Sequence, residues 1–171
     1  REVWRTYCNI DHFVYLSLTS GVKVGITRHT NIPNRWIDQG AVSGLIIARV
    51  PERIISGKIE IALAEHFADK TNWRKMLKGG VDEVDLLALR DKAHELLPES
   101  LKGYAVNDGV LQELVYPVES VPEKITSHNL DKIPEFTDRL TGIKGQYLIF
   151  ETRVINMRKY AGYHIEFGFN Y

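Results

Sequence analysis

Between Val14 and Arg28 the chain reads VYLSLTSGVKVGITR, and three of its residues, Tyr15, Lys23 and Gly25, carry chemistry that an apolar hairpin does not need. Two alternating runs, 13–18 and 22–27, flank Thr19-Ser20-Gly21 and predict a β-hairpin. Three turn residues between Leu18 and Val22 set a register in which paired positions sum to 40. Leu18 then faces Val22, Leu16 faces Val24 and Val14 faces Ile26, an all-apolar side that a one-residue slip would destroy. The other side sets Tyr15 opposite Gly25 and Ser17 opposite Lys23. A glycine across from a tyrosine leaves room for the ring, or for a ligand, to approach the backbone. Lys23 lies diagonal to Tyr15, close enough to share a phosphate-sized anion. The plainer reading is an exposed tyrosine and lysine on a solvated sheet face.

The elements that must position this face follow in order. HTNIPNRWIDQG predicts a short helix with Thr30 or Asn31 as N-cap, Pro33 in its first turn and Gly40 as its stop. SGLIIARV reads as a buried strand. After Pro51, Ile55, Ile59, Ala62, Leu63 and Phe67 recur at helical spacing. TNWRKML predicts a second, shorter helix capped by Thr71 or Asn72 and broken at Gly79-Gly80. DEVDLLALRDKAHELL predicts a surface helix whose acidic first turn suits its dipole. From about residue 103 short apolar runs alternate with prolines and glycines, and TGIKGQYLIFET and RVINMRKYAGYHIEFGF look like strands. The expected fold is therefore α+β. A small three-stranded antiparallel sheet with flanking helices occupies 13–102, and a small, mostly β module occupies 103–171.

The chain has 171 residues, 44% of them hydrophobic, and no apolar run near the roughly 18 residues of a membrane span. Its single cysteine, Cys8, excludes an internal disulfide framework, which makes a reducing, cytoplasmic setting the expectation. Net charge is zero but unevenly distributed. Residues 23–78 hold ten Lys/Arg against five Asp/Glu, and residues 79–136 hold five against twelve. An anionic partner is expected to meet the basic front.

Tyr in one strand, Lys-Val-Gly in the next, Arg35 on a helix, a third strand, Glu60 on a helix and then Asn72 form an ordered series. It resembles the GIY-YIG nuclease domain over roughly residues 13–77, with VYL standing where GIY would and KVG where YIG would. Lys23 departs from the pattern by replacing the second motif's tyrosine. Over nearly its whole length the chain also looks like an uncharacterised bacterial family, through GVKVGITR, IPNRWIDQGA, DKTNWRKMLKG and GIKGQYLIF.

The resemblance implies a metal-dependent enzyme that cleaves nucleic-acid phosphodiesters, with Tyr15, Lys23, Arg35, Glu60 and Asn72 as catalytic residues. Glu60 would hold one Mg²⁺, which accepts a single carboxylate plus waters and phosphate oxygens. Among its helical neighbours, Ser56, Gly57 and Ala64 are small and leave space for a hydrated ion. Arg35 could grip the scissile phosphate with its planar fork, against the alternative of stacking on Trp36 or pairing with Asp38. Tyr15 is the candidate to position or deprotonate water, with Lys23 easing the phenolate. Asn72 has helix capping as its rival role. Glu65 is next in line as metal ligand, and His66 is expected at the surface. The alternative class is a module that binds nucleic acid or phosphate on the same fold without cutting it.

Arg28 adds to the basic front. In the tail Lys144, Arg153, Arg158 and Lys159 alternate with Tyr147, Phe150, Tyr160 and Tyr163, which suits backbone contact and base stacking. Tyr160 or Tyr163 is expected to be exposed, and Arg158, Lys159 and Tyr160 are candidate nucleic-acid contacts. Residues 1–12 read as the remnant of an upstream segment, since the chain opens on Arg1 without an initiating methionine. Cys8 and His12 are possible ligands of a structural zinc that only the full-length protein would complete.

Overall fold

The computed structural model describes residues 10–67 and 71–169. The chain divides into two compact units, 1–115 and 116–171. The fold is α+β with antiparallel sheets.

In the first unit β1 (His12–Leu18), β2 (Val22–Arg28), β3 (Ser43–Val50) and the two-residue β4 (Gln112–Glu113) form one sheet in the order β2-β1-β3-β4. The β1–β2 register is the one expected: Tyr15 pairs with Gly25, Leu16 with Val24 and Ser17 with Lys23. The expected count of three strands is corrected to four, because β4 pairs with β3 at Ser43 and Gly44. Residues 103–115 accordingly fall with the first unit, and Ala105 bridges to Ala48 in β3.

Among the described residues five helices accompany this sheet: α1 (Asn34–Asp38), α2 (Arg53–Ala64), α3 (Trp73–Lys78), α4 (Leu86–Leu96) and α5 (Glu99–Lys102). The first is shorter than expected and starts after Pro33, because His29–Asn31 forms a separate 3₁₀ turn and the Asn31 amide donates to Thr27 Oγ1 at 3.2 Å. Gly40, at φ +68°, sits just beyond its end. Asn72 caps α3 and Asp85 caps α4, each side-chain oxygen accepting from two backbone N–H groups.

The sheet is covered on both faces, which the hairpin's polar residues did not suggest. One face packs Val14, Leu16, Leu45 and Ile47 against Ile59 and Leu63 of α2 and Leu86 and Ala93 of α4. On the other face Tyr15, Trp36 of α1 and Ala41 form a second buried cluster. β1 is an inner strand, flanked by β2 and β3, so Tyr15 and Ser17 are buried with the rest and no solvated face exists there.

The second unit holds a three-stranded antiparallel sheet, β5 (Leu140–Lys144), β6 (Tyr147–Phe150) and β7 (Val154–Asn156). The strand expected through 153–169 stops at Asn156, where Met157–Tyr160 turns into a 3₁₀ helix capped by the Asn156 side chain. Among the described residues no helix is long and apolar enough to cross a membrane.

Candidate functional site

Tyr15 is held from three sides. Its ring lies over Gly25, where an added Cβ would stand 2.5 Å from Cζ and Oη. Trp36 meets it edge-on, with centroids 5.8 Å apart, and its hydroxyl donates to Gln39 Oε1 at 3.3 Å. Trp36 is seated in turn on Gly44, whose Cβ would come within 2.5 Å of the indole. Two glycines, on the strands either side of β1, thus let two large rings lie flat against the sheet. The space opposite Tyr15 is taken by the ring itself and not by a ligand.

Burial pushes the Tyr15 hydroxyl above its ordinary pKa, and the nearby Arg35 guanidinium opposes this through its charge and a hydrogen bond. Tyr15 is therefore a neutral phenol at physiological pH, able to donate and accept but not a standing base. Lys23 was expected to ease the phenolate. Its ammonium instead donates to Thr71 Oγ1 at 3.2 Å, and Arg35 is the cation that acts on Tyr15.

Arg35 and Glu60 come from helices on opposite faces of the sheet, yet both side chains line one cleft beside the edge strand β2. Tyr15, Lys23, Gly25, Arg35 and Glu60 all line one cleft of about 730 Å³. Arg28, Gln39 and Arg53 line it too, so four cations face a single carboxylate. Burial raises the Glu60 pKa above the usual carboxylate value, with Arg53 and then Arg35 pulling it back. Next to Glu60 on its helix, an added Cβ at Gly57 would meet nothing within 4 Å, which preserves the open space expected there. Glu65 and His66 are exposed and do not line the cleft.

Asn72 stands apart from the cleft lining. Its side-chain oxygen accepts from the N–H groups of Arg74 (3.1 Å) and Lys75 (3.2 Å), and its own N–H donates to Ser20 Oγ at 2.8 Å in the hairpin turn. Replacement by alanine should lower stability by about 1 kcal/mol through loss of the cap, as measured by chemical denaturation.

Cys8 lies outside the described residues. His12 is buried, with Nδ1 2.7 Å from the Ile10 carbonyl oxygen. No group of three or more His, Cys, Asp or Glu side chains suited to a metal occurs among the described residues. In the second unit Arg158 and Lys159 are exposed, as is Tyr163 at 54%. Tyr160 is corrected to a core residue: it is 7% exposed and its hydroxyl accepts from the Leu130 N–H at 3.0 Å, which removes it as a stacking platform. Lys144 is likewise buried, its ammonium 5.5 Å from the centre of the Tyr116 ring.

Gln39 and Arg53 were missed in the sequence. The signal for each was helical phase: Gln39 follows Arg35 by four positions, and Arg53 precedes Glu60 by seven, two turns along one helix face.

Fold and site together define an α+β protein whose first unit carries a cleft lined by four cations and one carboxylate. The chain belongs to the DUF2797 family, described as a protein of unknown function, whose model matches residues 1–165. No curated protein and no solved structure matches it.

Proposed function

We propose that the chain is a divergent GIY-YIG-like enzyme that cleaves nucleic-acid phosphodiesters with the help of Mg²⁺. The observation that carries this reading is the convergence of Tyr15, Lys23, Arg35 and Glu60, drawn from four elements, on one cleft. Phosphodiester cleavage needs neutralised phosphate charge, a positioned water and a stabilised leaving oxygen. Arg35 grips the scissile phosphate with its planar fork, and Lys23 and Arg53 add positive charge on either side. Tyr15, buried with its proton directed to Gln39, accepts from Arg35 and so positions the guanidinium that would hold the phosphate.

Glu60 fits the metal's requirements, since a lone carboxylate beside open space is what a hydrated Mg²⁺ takes. The ion would supply charge neutralisation and a more acidic water. Arg158 and Lys159 serve as auxiliary backbone contacts in the second unit.

The raised Glu60 pKa gives a signed pH dependence. Protonated Glu60 cannot ligate a cation, so cleavage should fall as pH drops through a pKa above the usual carboxylate range. A pH–rate profile under single-turnover conditions measures this. Stability has the opposite sign. The folded state holds the proton more tightly than the unfolded one, so the ionised side chain weakens the fold as pH rises past about 4.3. Glu60→Gln should therefore melt above wild type at pH 7, and the difference should vanish near pH 4 in thermal scans.

A second reading, a module that binds but does not cut, is favoured by Asn72, whose side chain caps α3 instead of facing the cleft. Incubation with labelled DNA and RNA, with and without Mg²⁺, separates the two.

A further inference from the structure

We infer that the second unit carries a separate pocket for a small organic cation, an ammonium group on an apolar or aromatic body. The inference stands whether or not the cleft of the first unit cuts nucleic acid, because every lining residue falls between 130 and 168.

The first support is a core left open. Phe150, Ile155 and Tyr160 are buried, yet the residues packed around them, Leu130, Phe136, Leu148, Met157 and Ile165, are only partly covered. All five line a cavity of about 420 Å³, together with Phe150 and Ile155. Strands β6 and β7 contribute Leu148, Phe150 and Ile155, and the rest of the lining comes from outside the strands. Space of that size, mostly apolar with a few polar groups, is the common form of a small-molecule site.

The second support is the sign of the charge. The polar lining is Glu135, Thr137, Asp138 and Glu166, three carboxylates and a hydroxyl, with no Lys, Arg or His. Asp138 is already engaged: its carboxylate accepts from Thr152 and pairs with Arg153 at 3.3 Å. Glu135 and Glu166 are exposed, and among the described residues neither has a hydrogen-bond or ion-pair partner. Two unneutralised carboxylates on an apolar cavity attract a cation and repel a carboxylate or phosphate.

The third support is aromatic. The Arg153 guanidinium carbon already lies 5.0 Å from the centre of the Phe136 ring, so this unit holds one cation against an aromatic face. Phe167 also lines the pocket, is 55% exposed, and among the described residues has no ring or cation partner. A free aromatic face and free carboxylates on one cavity are the chemistry that recognises alkylated ammonium groups. The apolar lining then takes the body that carries the charge, which a bare ion would leave uncovered.

Methyl NMR on the full chain tests the inference. Met157 lines the pocket, and Met76, the chain's other methionine, belongs to the first unit. Methionine methyl-¹³C labelling therefore gives one reporter and one internal reference. Benzyltrimethylammonium should shift the Met157 resonance saturably, with a Kd of about 1 mM or tighter, and leave Met76 in place. Phenylacetate, an anion of similar size, and tetramethylammonium, the charge without the ring, should each bind at least about tenfold more weakly. Glu135→Gln combined with Glu166→Gln should weaken benzyltrimethylammonium roughly fivefold and narrow its lead over phenylacetate by at least as much. Both side chains are exposed, so the double variant should keep its fold.

No saturable shift of Met157, an equal shift of Met76, equal binding of phenylacetate or tetramethylammonium, or an affinity unmoved in the double variant would each overturn the inference. A Met157 resonance that moves on dilution of the protein alone would assign the pocket to a second copy of the chain and overturn it too.

Discussion

Glu60→Gln should abolish Mg²⁺-dependent cleavage, lowering the rate by about 10³-fold or more, while nucleic-acid affinity stays within about twofold of wild type or tightens. The two effects part because of the cleft's composition. Glu60 is the single carboxylate among Lys23, Arg28, Arg35 and Arg53, so its removal leaves every cation in place and makes the site more attractive to an anion. What would disappear, on the proposed reading, is the ligand for the metal. The isosteric amide also relieves a partly buried charge, so the variant should fold at least as well as wild type, and lost activity could not be ascribed to unfolding. Glu65→Gln is the matched control: that side chain is exposed and outside the cleft, and its activity should be unchanged. Single-turnover rates and anisotropy on the same preparations measure both effects. Cleavage by Glu60→Gln within tenfold of wild type would place the metal elsewhere.

Gly25→Ala should cost about 1–3 kcal/mol of stability and reduce cleavage roughly 100-fold, although the substituted residue contributes no side chain to the chemistry. The added methyl carbon would stand 2.5 Å from both Cζ and Oη of Tyr15, closer than such contacts allow. The ring cannot simply retreat. Trp36 blocks its other side, and the indole is itself seated on Gly44, where the clearance is the same 2.5 Å. Relief requires the Tyr15 hydroxyl to leave Gln39 and Arg35, a displacement that would free the guanidinium it positions. Gly57→Ala serves as the control for stability, since its methyl would meet nothing within 4 Å and should favour the helix. Urea denaturation followed by tryptophan fluorescence reads the stability. Unchanged cleavage in a destabilised Gly25→Ala would detach Tyr15 from the chemistry.

The hairpin register could be read from the sequence because every pair on one side is apolar, and one slip would bury the wrong residues. The stops at Gly40 and Gly79 and the cap at Asn72 were equally readable, since each rests on local backbone chemistry, whereas the helix expected from Asp82 with an acidic first turn starts only at Leu86, with Asp85 as its cap. Strand order was not. Alternation along β1 shows two faces but cannot say that β3 takes the other edge and that α1 then covers Tyr15 with Trp36. The apparent polar face became a second small core for that reason. β4 escaped because two residues have no period to detect. Tyr160 escaped because an aromatic beside Arg158 and Lys159 has the same spacing whether its ring faces solvent or, as here, packs with Phe150 and Ile155.

At the site itself, Arg35 and Glu60 were singled out by their order along the chain, and the structure brings both into the cleft. The partners that set their electrostatics were harder to see. Lys23 looked like the cation nearest Tyr15 by strand geometry, yet its ammonium reaches Thr71, from a segment far away in sequence. Arg35 takes its place beside the phenol because Trp36, its neighbour, anchors α1 over the sheet. Packing of that kind has no signature in residue spacing.

The most direct measurement is a time course of end-labelled duplex DNA and RNA incubated with the full chain, once with Mg²⁺ and once with EDTA. The account predicts that at least one duplex is cut into discrete products with Mg²⁺, that EDTA stops the reaction, and that Arg35→Ala fails to cut. Binding of duplex with no cleavage at any Mg²⁺ concentration, or cleavage that proceeds equally well in EDTA, would contradict it.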